Sequence, residues 1–205
     1  MDNHYKQFYG SARMKYDDLY ESEKRIFGLL NLQNRSILDV GCALGGFYNV
    51  FKSLDSSAKY TGIDFSESLI LEAKNRYPEA NFIKMDATQL EFENNSFDIV
   101  VCNSVQAHIP NYRSLISEVY RVAKYSCVLD TRLTFQNTQN IGDEDLSYYV
   151  LNMGEMFEII EKLENLQTFV LHSNKITPNK NKLHSKDYVD VGVFSGLFLF
   201  EKQAK

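Results

Sequence analysis

Ser36-Ile37-Leu38-Asp39-Val40-Gly41-Cys42-Ala43-Leu44-Gly45-Gly46 is the stretch that decides the fold. Its first five residues form a compact apolar run stopped by glycine, which reads as a buried strand. Immediately beyond it, Phe47, Val50, Phe51 and Leu54 recur at i, i+3, i+4 and i+7, one face of a helix. A strand that enters a helix through so short a turn needs glycine there, because a Cβ would obstruct a ligand lying against the backbone. The same turn aims unpaired N–H groups and the positive end of the helix dipole at the space above the strand ends. In open α/β sheets ligands bind at that place. The glycine pattern is Gly-x-Ala-x-Gly, with no Gly-Lys-Ser/Thr. A Walker phosphate loop is therefore excluded, and a Gly-x-Gly-x-x-Gly dinucleotide fingerprint is weakened.

Outward from this turn, strand-sized and helix-sized patterns alternate. Tyr60–Asp64, Asn81–Lys84, Phe97–Cys102 and Ser126–Asp130 read as further strands. Between them lie a helix capped by Ser66, with Leu69, Ile70 and Ala73 inward, and one opened by Pro110-Asn111, with Leu115, Ile116, Val119 and Val122 inward. Alternation of this kind means βαβ crossovers: an α/β, doubly wound, Rossmann-like sheet with helices on both faces. Met153, Met156, Phe157, Ile160 and Leu163 mark another helix, followed by strand-like runs at Thr168–Leu171 and Val191–Phe200. Residues 1–205 read as one domain: an N-terminal helical cap (1–34), a cofactor-binding half (35–135) and a C-terminal, substrate-side half (136–205). In the cap, Leu19, Tyr20, Phe27 and Leu30 suggest a helix packed on the sheet or across its edge. The polar, lysine-rich segment 173–190 is long for a hairpin loop and is either functional or mobile.

Composition narrows the function. Hydrophobic residues at 44% and charged ones at 24% of 205 residues allow a sizeable core and exclude a disordered chain. Cys42, Cys102 and Cys127 are scattered, odd in number and without Cys-x-x-Cys spacing, so neither a disulfide framework nor a zinc site is expected, and a cytoplasmic setting fits. They read as small buried hydrophobes. A net charge of −5 argues against a broad nucleic-acid footprint. The opening Met1-Asp2-Asn3-His4-Tyr5-Lys6 does not read as a signal peptide, and no apolar run is long enough for a membrane span.

Acidic residues stand behind the strand ends. A carboxylate at Asp64, ending the second strand, can accept both hydroxyls of an adenosine ribose; it would otherwise be a helix N-terminal acid. Asp86, after the third strand, can accept from the adenine amine with the Ala87 N–H on a ring nitrogen, or it can close an Asx-turn. Asn103 ends the fourth strand, facing the reacting centre.

Ile37–Gly45, Gly62-Ile63-Asp64-Phe65-Ser66, Met85-Asp86-Ala87 and Phe97–Asn103, in this order and spacing, resemble the class I S-adenosylmethionine-dependent methyltransferases of the small-molecule type. The resemblance covers Ser36 to Leu133 and implies a seven-stranded, mostly parallel sheet with an antiparallel last strand. It also implies roles. Asp39 anchors the turn and the methionine ammonium group, and Gly41 and Ala43 bring backbone against the methionine part. Asp64 holds the ribose, Phe65 lies against the adenine, Asp86 and Ala87 read the adenine, and Asn103 offers its carbonyl to the ammonium. The family commonly has glycine where Ala43 stands, and alanine is expected to be tolerated there at negative φ. Phe8–Tyr20 resembles the family's N-terminal cap, which places Tyr16 over the cofactor, with Tyr5, Phe8, Tyr9 and Tyr20 in the same aromatic lid. His108, in Asn103–Pro110, is a candidate base for a hydroxyl or amine acceptor, or a histidine bonded to backbone beneath the site. Asp130 and Arg132 either face the pocket or pair with each other.

The implied function is methyl transfer from S-adenosylmethionine to a small-molecule acceptor, at O or N, by a monomer or homodimer. Asn-Pro-Pro-Tyr is absent after the fourth strand and Pro-Cys is absent altogether, which argues against the corresponding DNA methylation chemistries; no acid cluster marks a metal site. Two alternatives remain: a non-catalytic cofactor-binding partner subunit, and a nicotinamide-dependent oxidoreductase.

Overall fold

The computed structural model describes residues 13–142, 147–175 and 192–203. Tyr5, Phe8 and Tyr9 and the lysine-rich stretch 176–191 lie outside the described residues.

The parallel strands are β1 (Ser36–Val40), β2 (Lys59–Asp64), β3 (Asn81–Lys84), β4 (Phe97–Cys102) and β5 (Ala123–Thr134). They lie side by side in the order β3-β2-β1-β4-β5. The helices are α1 (Glu21–Phe27), α2 (Gly46–Leu54), α3 (Glu67–Arg76), α4 (Tyr112–Val122) and α5 (Met153–Glu161). Order reverses between β1 and β4, so the C-terminal end of β1 stands at a topological switch point.

Beyond β5 the sheet continues through β9 (Phe194–Lys202), antiparallel to it, and β8 (Leu166–Lys175), antiparallel to β9. The expected antiparallel last strand is present. Two short strands, β6 (Gln139–Asn140) and β7 (Tyr149–Asn152), were not legible in the sequence; with them the sheet has nine strands among the described residues where seven were expected. β7 runs parallel to the end of β5 at Leu133 and Thr134, where β4 has already stopped, and so prolongs the sheet over the strand ends.

Period-two alternation divides the core between the faces. Ile37, Ile99, Val101 and Val128 pack with Phe27 of α1 and Val50 and Phe51 of α2. Leu38, Val40, Val100 and Leu129 pack with Leu115 and Val119 of α4 and Met156 and Ile160 of α5. Phe198 and Phe200 of β9 stack at 5.4 Å inside the second layer. At the far end of the sheet Asp98 takes the Ser36 amide (2.8 Å) and hydroxyl (2.9 Å), pinning β4 to β1.

Leu19 and Phe27 are buried and Leu30 partly so, as expected, but Tyr20 is 52% exposed. It is the residue that precedes α1, and its ring turns outward to lie under the Arg13 guanidinium at 5.0 Å. Phe198→Ala should cost about 3–5 kcal/mol and lower the melting point by roughly 10 °C, because a fully enclosed ring leaves a cavity between β9 and α4–α5. A calorimetric shift of only a degree or two would show that this layer is loosely packed.

Candidate functional site

The turn after β1 is held in an unusual backbone shape. Gly41 (φ 75°), Ala43 (φ 46°) and Gly45 (φ 78°) are all left-handed. A Cβ on Gly41 would come within 2.2 Å of Val105 Cγ2, so that position admits glycine alone. Ala43 departs from the expectation of a negative φ. In this conformation its amide donates to Asp64 Oδ2 at 3.0 Å, a charge-assisted bond that offsets the backbone strain. The amides of Gly41 and Cys42 meanwhile donate to the Ile63 carbonyl at 2.8 and 2.9 Å, laying the turn across the end of β2.

Asp64 is thus a brace. Its other oxygen takes the Ser66 amide at 2.8 Å, joining the turn to the start of α3. A carboxylate has about four lone-pair positions, so two amides do not exhaust it. Burial raises its pKa above the ordinary carboxylate value, against the pull of those two amides.

Asp39 is buried, at 2% exposure. Its one hydrogen-bond donor in the structure is the Tyr60 hydroxyl at 2.6 Å. Burial pushes the carboxyl up to about 7; the Tyr60 bond opposes this, the charge of Asp64 adds to it and Arg13 opposes it. Burial and the neighbouring Asp39 and Asp64 push the Cys42 thiol well above its ordinary value, so it is no nucleophile.

These groups line a cleft of about 580 Å³ above the strand ends, within the usual range for small-ligand sites. Among the residues singled out in the sequence, Asp39, Gly41, Ala43, Asp64, Phe65, Asp86, Ala87, Asn103 and His108 all border it. Phe65 is 74% exposed, its ring at the mouth with little protein against it. Asp86 also closes the Asx-turn considered from sequence, with Oδ1 taking the Thr88 amide and hydroxyl, both at 2.8 Å.

Tyr16 does not line the cleft. Its 3-10 turn, Tyr16–Asp18, is closed by the Asp18 carboxylate on the amides of Met14 and Lys15, and its ring packs against the first core layer beside Met14. From the N-terminal segment it is Arg13 that enters the cleft lining. Its Nε lies 2.8 Å from Glu23 Oε1, and Nη2 donates to Ser104 Oγ at 3.1 Å. Glu23 is buried and also takes the Asn103 side-chain amide and the Tyr20 amide. Glu23 carries no signal in the sequence: it sits in the charged run Glu21–Arg25 and is set apart only by its tertiary contacts.

On the opposite wall, His108 lies in a 3-10 turn, Gln106–His108, after β4. Its Nδ1 is 3.0 Å from the Ser147 carbonyl. A carbonyl only accepts, so Nδ1 carries a hydrogen. The expected bond to backbone is present, and the residue borders the cleft. Asp130 and Arg132 pair at 2.7 Å, and neither lines the cleft. Among the described residues no group of acids, histidines and cysteines could hold a metal ion, and no helix is long and apolar enough to cross a membrane.

Residues 38–129 match the family model described as a methyltransferase domain. The demethylmenaquinone methyltransferase of Lactococcus lactis is 33% identical over 118 residues, 54% of this chain and 46% of that protein. The chain thus spans less than half the length of that curated relative. The O-methyltransferase of a Brevibacillus brevis polyketide multienzyme, solved with S-adenosyl-L-homocysteine, superposes with a TM-score of 0.69 at 16% identity, over 91% of this chain and 73% of its own. The [4+2]-cyclase SpnF superposes with a TM-score of 0.66 at 14% identity, over 90% of this chain and 81% of its own. At such identities the likeness is one of fold, and it extends to proteins of different chemistry.

Two outcomes test the site as built. Ala43→Gly should stabilise the chain by about 0.5–1 kcal/mol in denaturant titrations, since relief of the left-handed strain exceeds the added freedom of the unfolded chain; a loss of stability would place the strain elsewhere. Asp39 is protonated in the fold up to about pH 7 but ionised in the unfolded chain from about pH 4. Its contribution to stability is therefore full below about pH 4 and is lost as pH rises to about 7. Asp39→Asn, neutral at every pH, should raise the melting point at about pH 8 and leave it unchanged at about pH 4 in ligand-free protein. An equal change at both pH values would mean that folding leaves the Asp39 carboxyl at its ordinary value.

Proposed function

We propose that this chain, whose residues 38–129 carry a class I methyltransferase domain, transfers the methyl group of S-adenosylmethionine to a small-molecule acceptor at a hydroxyl or amine. One observation carries the reading. Carboxylates from three strand ends, Asp39, Asp64 and Asp86, converge with the left-handed turn on a single cleft that also holds His108.

The sulfonium of the bound cofactor supplies an electrophilic methyl group, so the protein's work is alignment and exclusion of water. Asp64 accepts the two ribose hydroxyls on the lone pairs its amide partners leave. The exposed face of Phe65 covers the adenine, with Asp86 and the Ala87 amide on its polar edge. Gly41 and Ala43 present backbone to the methionine part. Asp39, with the carbonyl of Asn103, meets the ammonium group and is held ionised by it. His108 Nε2 takes the proton that the acceptor loses as the methyl arrives, while Ser147 keeps Nδ1 protonated. The acceptor is a small molecule and not a nucleic acid, consistent with the negative net charge. Three free, buried cysteines support a cytoplasmic enzyme.

The fold shared with a cyclase supports a second reading, a cofactor-binding protein that does not methylate. Release of S-adenosylhomocysteine from S-adenosylmethionine with demethylmenaquinone or a mixed panel of small hydroxyl and amine acceptors distinguishes the two. For the cofactor itself, S-adenosylhomocysteine should raise the melting point while NAD does not, because the turn lacks the phosphate-cradling glycines. Asp64→Ala should weaken S-adenosylhomocysteine by about 2–4 kcal/mol in calorimetry. Affinity should also fall, up to about tenfold per unit, as pH drops below about 7 and Asp39 takes up its proton. Equal stabilisation by NAD would overturn the reading.

A further inference from the structure

The strands β6 and β7 answer to no sequence motif, yet the chain they frame reaches the histidine. Ser147 and Tyr148 share one peptide group, which is planar and trans. Its C=O accepts from His108 Nδ1 at 3.0 Å, and its N–H donates to the side-chain Oδ1 of Asn140 at 2.7 Å. In a trans peptide these two bonds leave in opposite directions, so a tilt of the plane loosens both. Asn140 Oδ1 also takes the Gly142 amide at 3.0 Å, and the Tyr148 carbonyl takes the Ile141 amide at 2.9 Å.

The ring of Tyr148 is fixed independently. Its hydroxyl accepts from Arg132 Nε at 2.9 Å, and Arg132 is held by Asp130 at 2.7 Å. Asp130 in turn takes the amide and hydroxyl of Ser104 in the cleft wall, both at 3.1 Å. The Tyr148 ring meets the His108 imidazole edge-on, with centroids 5.4 Å apart.

We propose that Asn140 is a positioning residue: through the Ser147–Tyr148 peptide plane it holds His108 in the Nδ1-protonated tautomer and keeps Nε2 toward the cleft, with Arg132 anchoring Tyr148 as the second support. The inference rests on the base role given to His108 above, but its central claim concerns the tautomer and is read without turnover. Asn140 is exposed, and its side chain serves the local turn and this plane, so its replacement leaves the core intact.

The test is nitrogen-15 NMR of the imidazoles, in the presence of S-adenosylhomocysteine, on the full chain. It has four histidines, and a His108→Gln variant assigns the signal. Wild type at about pH 8 should show His108 as a single neutral tautomer, with its two nitrogen shifts far apart and the proton on Nδ1. Asn140→Ala should draw those shifts together as tautomers mix, and Asn140→Asp, which keeps an acceptor oxygen, should restore them. Tyr148→Phe should produce a smaller convergence. An Nε2-protonated wild type overturns the proposal without any variant, as does an Asn140→Ala spectrum identical to wild type. Should His108→Gln keep full methyl transfer while the Asn140 series behaves as described, the base role fails and the positioning stands. The reverse pattern leaves the base role and removes Asn140 from it.

Discussion

The amide of Ala43 on the carboxylate of Asp64 is the contact on which the site depends. It accompanies a left-handed path after β1 that an alanine takes only under strain, and the Gly41 and Cys42 amides of that path lie on the end of β2. With the turn in place, α2 starts at Gly46 and the cleft opens above β1. The strain is of order 1 kcal/mol, less than a charge-assisted bond between amide and carboxylate contributes in a partly buried place. The bond therefore wins over the backbone preference. A residue that looks like a ligand-binding acid is thus equally a structural one.

A second tension lies one residue pair deeper. Asp39 is buried with a tyrosine hydroxyl as donor and another carboxylate nearby, an arrangement that disfavours its charge. Such a group costs stability near neutrality when the cleft holds no cation. The arrangement is sensible for a site that receives a positive ligand, whose charge would offset the burial of the acid. Glu23, by contrast, has several partners: its carboxylate is met by Arg13, the Asn103 side chain and the Tyr20 amide. One acid is left in want of a cation, and the other ties the N-terminal segment to the end of β4.

On the acceptor side the wall of the cleft is made by polar links. Ser104, Asp130, Arg132 and Tyr148 connect β4, β5 and the β6–β7 region through charge-assisted bonds. Glu155 at the start of α5 collects Tyr112, Arg113 and Thr138, locking α4 to the same region. Directional bonds of this kind define the position of His108 more narrowly than apolar contacts would.

Much of this was legible in the sequence because the signals are local. Apolar runs ended by glycine, helical periodicity between them and acids at the strand ends fix the α/β order and bring Asp39, Asp64, Asp86, Asn103 and His108 to one edge of the sheet; a parallel sheet puts every strand's C-terminal end on the same side. What the tertiary structure alone decided are the contacts between residues far apart in the chain. The left-handed Ala43 is braced by a carboxylate on the next strand, and Arg13 rather than Tyr16 is held at the cleft by a buried glutamate and a serine beyond β4. The hydrogen on His108 Nδ1 is set by a carbonyl far along the chain, in a region whose short strands carry no periodic signal. Periodicity records which face of an element is buried, whereas partners, tautomers and buried charges depend on which elements meet, and that is a property of the folded chain.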